Sequence, residues 1–265
     1  MGNDSLKITE ILPSEVNEQL FDTQIATAKK YPRNINKFLE NAKITVTISE
    51  ATASTCMYAL PRAGKKIPGP SVHLARIVAQ LYGNMRVQVK AGEIGSTFVT
   101  ASAIAFDLET NYGLQVDSRR KITDRNGKRY NEDMINTTML AAMAIAERNA
   151  IFKVIPKLYI DEVYGAAQRK ITGDLSSEEQ MGLKRKEMVA YFEKQFSVKE
   201  NDLLELLGKQ TLNQVTADDI VTVKGLIQSL KDGETTIEEQ FPRLKKEQAK
   251  KKSNTMFDKD NKDEV

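Results

Sequence analysis

The sequence predicts an α+β fold: a curved, mostly antiparallel sheet backed by a long helix and followed by a small all-helical C-terminal module. Three observations point there. Between residues 85 and 122, three extended runs follow one another with turn residues between them. Residues 133–154 carry a helical pattern that is apolar nearly all round, as suits a helix packed between a sheet and a neighbour. From about 178 to 242 only helical patterns remain. A chain of 265 residues has room for one large or two small domains with a real core. The expected segments are an N-terminal helical arm (1–30), an α+β core (31–175), a helical module (176–242) and a disordered charged tail (243–265).

Taken in order, Leu20, Phe21, Ile25 and Ala28 stand at helical spacing in the arm. After Pro32, Asn34 can cap a short helix through Phe38 and Leu39, and Ile44-Thr-Val-Thr-Ile48 alternates like a strand. Residues 56–60 read as extended. Ser71 is placed to cap a helix whose Leu74, Ile77, Val78 and Leu81 form one apolar stripe, and Gly83 ends it. In 85–91, Met85, Val87 and Val89 share one face and Arg86, Gln88 and Lys90 the other, which predicts a half-buried strand with a basic outer face. Gly92 and Gly95 bracket a hairpin turn into the long run 96–108. A third extended run, 113–122, leads to the turn at Asn126-Gly127. Pro156 stops or kinks the long helix, a second helix covers 161–170, and 173–177 form a linker. Thr236 starts a last turn ahead of Phe241-Pro242, and 243–265 has almost nothing to bury.

Charged residues at 28% and hydrophobic ones at 40% describe an ordinary soluble chain, and no run of 18 apolar residues or charged-then-apolar leader is present. A cytoplasmic protein is the expectation. One cysteine (Cys56) and one histidine (His73) leave little material for a zinc site, so metal chemistry would rest on carboxylates. The net charge of +3 hides an asymmetry. Residues 62–170 hold 17 Lys and Arg against 10 Asp and Glu, a net +7, and the rest holds 22 against 26, a net −4.

Residues 64–71, GKKIPGPS, come close to the phosphate-cradling pattern G-x-x-x-x-G-K-[ST]. The lysine position is Pro70, which offers neither an ammonium group nor an N–H. No ATP, and no other cofactor, is expected here; the stretch reads as a turn into a helix.

The basic residues fall in four clusters: Arg62/Lys65/Lys66, Arg86/Lys90, Arg119/Arg120/Lys121 with Arg125/Lys128/Arg129, and Arg148/Lys153/Lys157. Several cations along one groove are what a polyphosphate chain needs, because each neutralised phosphate releases counterions. Tyr58, Tyr82, Tyr112, Tyr130 and Phe152 lie near them and can stack on bases. The plainer reading is of solvated charge and core aromatics. A nuclease reading places Mg²⁺ on Asp107, Glu109 and Asp117, but a strand end running into the Asn111-Tyr-Gly113 turn attracts acids anyway. A third reading is a phage structural or adaptor protein. His73, in line with Arg76 and Gln80, reads as a surface histidine or phosphate donor rather than a catalyst.

The run RAGKKIPGPSVHLARIVAQLYGNMRVQVKAGE, a basic strand, an Ile-Pro-Gly turn, a helix ending in Tyr-Gly and a second basic strand, resembles the RecT/Redβ-like phage single-strand annealing proteins. ERNAIFKVIP (147–156) is similar to that family's second helix end. The matched blocks span roughly 60–160, with Pro70-Ser71 standing where the family often has an aromatic and Arg148-Asn149 where it pairs two arginines. The resemblance implies a non-enzymatic, ATP-independent recombinase that anneals complementary strands as a ring or helical homo-oligomer. Its core, 31–175, would bind DNA and oligomerise. Phosphate contacts are then expected from Lys65, Lys66, Arg86, Lys90, Arg119, Arg120, Lys128, Arg129, Arg148, Lys153 and Lys157, with His73 and Arg76 second. The implied partners are single-stranded DNA, the annealed duplex and, through the C-terminal module, an exonuclease or a host single-strand-binding protein.

Overall fold

The computed structural model describes residues 14–62, 65–124, 126–173 and 177–242. The expected tail at 243–265 and the first 13 residues of the expected arm lie outside them. In chain order the elements are α1 (Ser14–Lys30), α2 (Ile35–Thr47), α3 (Glu50–Thr55), β1 (Met57–Arg62), β2 (Lys65–Pro70), α4 (Val72–Tyr82), β3 (Met85–Ile94), β4 (Phe98–Asp107), β5 (Tyr112–Lys121), α5 (Glu132–Val154), α6 (Lys157–Thr172), α7 (Glu178–Phe196), α8 (Glu200–Leu207), α9 (Ala217–Lys231) and α10 (Ile237–Gln240). The class is α+β, with an antiparallel sheet β3-β4-β5, an antiparallel hairpin β1-β2 and an all-helical stretch from α7 onward. No helix among the described residues is long and apolar enough to cross a membrane.

The chain forms two compact units, Met1–Thr45 with Ala75–Val163, and Val46–Leu74 with Tyr164–Val265. It changes unit inside α2, α4 and α6, whereas the sequence-based segments break at 30/31 and 175/176.

In the first unit the sheet lies on α5. Every second residue of β4, Val99, Ala101, Ala103 and Ala105, is buried. Val99 and Ala101 join Ile122 and the α5 residues Ile135, Met139 and Ala142 in one cluster, with Tyr130 and Met143 against it. Alanines on both elements let the helix approach closely, and burying a side chain such as Ile135 contributes about 1.5–3 kcal/mol. Asn131 caps α5 by accepting the Met134 N–H at 2.9 Å. At the other end Ile155 is extended (ψ 132°), because Pro156 excludes the helical region for the residue before it. Helix α6 starts directly after that proline, four residues earlier than expected.

The strand expected at 44–48 is instead the end of α2. Phe38, Ala42 and Val46 are buried at spacing i, i+4, i+8, while Ile44 and Ile48 are exposed. The buried stripe decides against the local β preference of Ile, Thr and Val. Asn34 caps α2 as expected, accepting the Lys37 N–H at 3.0 Å.

In the second unit GKKIPGPS supplies β2, not a turn into a helix. Pro68 and Pro70 oppose Ala59 and Met57, and Pro61 opposes Lys66, so all three prolines occupy alternate pairs of the hairpin. The Ala59 N–H points away from β2 and donates to Ser229 Oγ of α9 at 3.1 Å. Those pairs are therefore the non-hydrogen-bonded ones, where a missing N–H costs the ladder nothing. Gly69 is required because a Cβ there would sit 2.7 Å from the Tyr58 ring. Gly225 is required in turn because its Cβ would meet the Tyr58 carbonyl carbon at 2.8 Å, so α9 rests on the backbone of β1. Ser71 caps α4 by accepting the Leu74 N–H at 3.2 Å and donates to the Thr55 carbonyl at 2.6 Å. Capping boxes at Thr216 and Thr236 start α9 and α10.

Candidate nucleic-acid interface

Residues directly opposed across antiparallel strands share a face. The register pairs Arg86 with Phe106, Gln88 with Ile104 and Lys90 with Ser102 between β3 and β4. Between β4 and β5 it pairs Phe98 with Lys121, Thr100 with Arg119, Ser102 with Asp117 and Ile104 with Gln115. These residues make up the face of the sheet away from α5.

The chemistry of that face changes along its length. At one end, Phe21 of α1 covers Phe106, with ring centroids 5.3 Å apart, and the Arg86 guanidinium lies 5.4 Å from the Phe21 ring. Arg86 is half-buried, and its Nη1 has no hydrogen-bond partner among the described residues. Toward the β3–β4 turn, Lys90, Arg119 and Lys121 are exposed, and none is paired with a carboxylate among the described residues. The Arg119 guanidinium lies across Phe98, 3.7 Å from the ring centroid. Asp117, an acid of this face, is engaged by neutral donors: Ser102 Oγ at 2.7 Å and Gln115 Nε2 at 3.0 Å. Beyond β5, Arg129 Nη1 donates to the carbonyls of Gly95 (2.5 Å) and Ser96 (3.1 Å), fixing the β3–β4 turn. Lys128 is exposed beside it, in a turn that Gly127 enters at φ +80°.

The other expected contacts fall elsewhere. Arg120 opposes Val99 and so belongs to the α5 side of the sheet, the face opposite Arg119. Arg148 is buried on α5, with Nε donating to Asn149 Oδ1 at 3.3 Å. Lys153 and Lys157 are exposed at the junction of α5 and α6, and Lys157 pairs with Asp161. Arg76 is exposed but forks onto Glu147, at 3.0 and 2.6 Å. His73 belongs to the second unit, with Nε2 3.0 Å from Asp232 Oδ1 and 3.2 Å from Gln228 Nε2. Lys65 and Lys66 are in β2 of that unit; their side chains, like Arg125, are outside the described residues. Arg86, Lys90 and Arg119 thus share one face, with Lys128 and Arg129 at the turn beyond it.

The carboxylates considered for Mg²⁺ do not converge. Asp107 opposes Tyr112 on the α5 side, Asp117 lies on the opposite face, and Glu109 follows β4 in the turn. Arg33 holds the first and last of these: Nη2 and Nη1 reach Asp107, and Nε and the backbone N–H reach Glu109 at 2.9 and 2.8 Å. Tyr82 lies 3.8 Å under the guanidinium, and Asn84 adds a bond to Glu109 at 2.5 Å. Burial alone would push both carboxyls up. The bonds from Arg33, with the Glu109 N–H on Asp107 and Asn84 on Glu109, outweigh it and hold both below their ordinary values. No group of three His, Cys, Asp or Glu able to hold a metal ion occurs among the described residues. Cys56 is buried, which pushes its thiol up to about 11, away from nucleophilic use.

Among the aromatics proposed for base stacking, Tyr82 is buried between Arg33 and Phe38, and Tyr130 packs on the α5 cluster. Phe98 was missed as a site residue because its partnership with Arg119 runs between neighbouring strands and exists only in the observed register. Lys121 stands in the basic cluster with Arg119 but not among the expected phosphate contacts, although the i, i+2 alternation from Arg119 puts it on the same face. Comparison with protein-family models, with curated proteins and with solved structures gives no match.

Proposed function

We propose that the protein binds single-stranded DNA and anneals complementary strands without nucleotide hydrolysis, acting in phage-type recombination in a bacterial cytoplasm. The observation that carries this reading is the exposed Lys90, Arg119 and Lys121 on the outer face of β3-β4-β5, opposite the face that makes the core. Cations carried on a sheet neutralise a flexible phosphate chain with no backbone ordering left to do on the protein side, only that of their side chains. Two strands whose repulsion is reduced, and whose bases stay accessible, meet at lower entropic cost; base pairing supplies the free energy. Strands β3 and β5 each have one edge without a partner strand among the described residues, which supports side-by-side protomers in a ring or filament. In this reading the helical region from α7 onward serves the exonuclease or single-strand-binding partner.

The test mixes complementary labelled oligonucleotides with the protein and no nucleotide. Pairing faster than in buffer, and slowed by salt, is the expected result. Pairing no faster at any salt concentration overturns the reading. Absent or salt-independent binding to single strands favours a structural or adaptor role.

A further inference from the structure

Resting on that reading, we infer that Phe98 and Arg119 form a stacking platform for one unpaired base, so the face selects single-stranded nucleic acid and not phosphate alone. The register sets Arg119 of β5 opposite Thr100 of β4, with Phe98 at the start of β4, so Arg119 and Phe98 are diagonal neighbours on the outer face. Phe98 is half-buried and anchored, whereas Arg119 is exposed above it. A guanidinium in contact with a ring on one side presents its other plane to solvent, and no carboxylate among the described residues claims it. A planar, weakly hydrated cation held in this way is a surface on which a base lays its π face. Lys90, across the sheet, and Lys121, directly opposite Phe98, stand where the flanking phosphates of such a nucleotide would need charge.

Stacking uses the face of a base and leaves its pairing edge free, so a platform of this kind holds a strand without blocking its complement. In a duplex each base already has stacking neighbours on both sides, and the platform gains nothing.

The experiment compares binding of three probes of equal length: oligothymidylate, an oligonucleotide of abasic sites with the same phosphates, and duplex DNA. The unaltered protein should prefer oligothymidylate to the abasic strand by roughly 5- to 150-fold, the range one stacked base supplies. Arg119→Lys keeps the charge and removes the plane. It should bring this preference close to one while abasic binding stays within about two-fold. Phe98→Leu keeps an apolar anchor and should reduce the preference likewise; Lys90→Ala should weaken both single strands equally. A preference that survives both Arg119→Lys and Phe98→Leu overturns the platform, as does equal binding of the two single strands by the unaltered protein, which leaves nucleic-acid binding intact. Failure to bind any probe overturns the proposed function and the platform with it.

Discussion

The two faces of the β3-β4-β5 sheet share one backbone and carry opposite chemistry. On β4, Val99, Ala101, Ala103 and Ala105 are buried against α5, and the residues between them, Phe98, Thr100, Ser102 and Ile104, form the middle of a face whose flanks are charged. Period-2 alternation lets one sheet hold the core together on one face, through β4, and carry cations of β3 and β5 on the other. Changes on the α5 side should therefore move stability and leave affinity alone. Changes at the exposed Lys90, Arg119 and Lys121 of the outer side should do the reverse.

The largest effect expected is at Arg33. Its guanidinium and the Asp107 carboxylate are both almost fully buried, and Arg33→Ala leaves two carboxylates uncompensated. Urea unfolding should show a loss of about 3–5 kcal/mol, as for other buried pairs broken on one side. Next comes Ile135→Ala, which empties a fully buried site under the sheet and should cost about 2–5 kcal/mol by the same measurement. The folded fraction of either variant should bind oligonucleotide like the unaltered protein; a changed affinity would break the separation of the two faces.

A smaller, pH-dependent effect sharpens the comparison. The Asp107 and Glu109 carboxyls are held below their ordinary values in the folded protein. Their contribution is fully present above the unfolded values near 4 and is lost as pH falls through the lower folded ones. Urea midpoints measured from pH 6 downward should drop most steeply below about pH 4. In Asp107→Asn the midpoint should be lower at pH 6 and the drop shallower. The smallest stability effect is expected from Lys90→Ala on the exposed face, within about 0.5 kcal/mol, although it weakens oligonucleotide binding.

How much of this was legible in the sequence follows from where the information lies. The three strands, α5 and the Ser71 cap were readable because their signals are local: alternation, helical periodicity, a capping side chain and a terminating glycine. The helical end of α2 was not, since Ile44-Thr-Val-Thr-Ile48 mimics a strand and only the burial of Phe38, Ala42 and Val46 reveals the true period. The hairpin in GKKIPGPS was hidden because the stretch reads as a turn into the helix that Ser71 caps, and only the pairing shows the nitrogens of Pro68 and Pro70 facing away from β1. The candidate site was legible as a basic segment but not as a surface. Arg119 and Arg120 are adjacent letters on opposite faces, Arg148 is buried, and Arg76 is spent on Glu147. The clamp of Arg33 on Asp107 and Glu109, separated by 74 and 76 positions, had no local signal at all.

The most direct test of the central claim is the salt dependence of oligothymidylate binding by the unaltered protein and by the triple variant Lys90→Ala, Arg119→Ala, Lys121→Ala. On single strands each phosphate contact contributes about 0.7 to the slope of log affinity against log salt, so the variant's slope should be shallower by about 2. Equal slopes and equal affinities for the two proteins would contradict the assignment of the outer sheet face as the nucleic-acid surface.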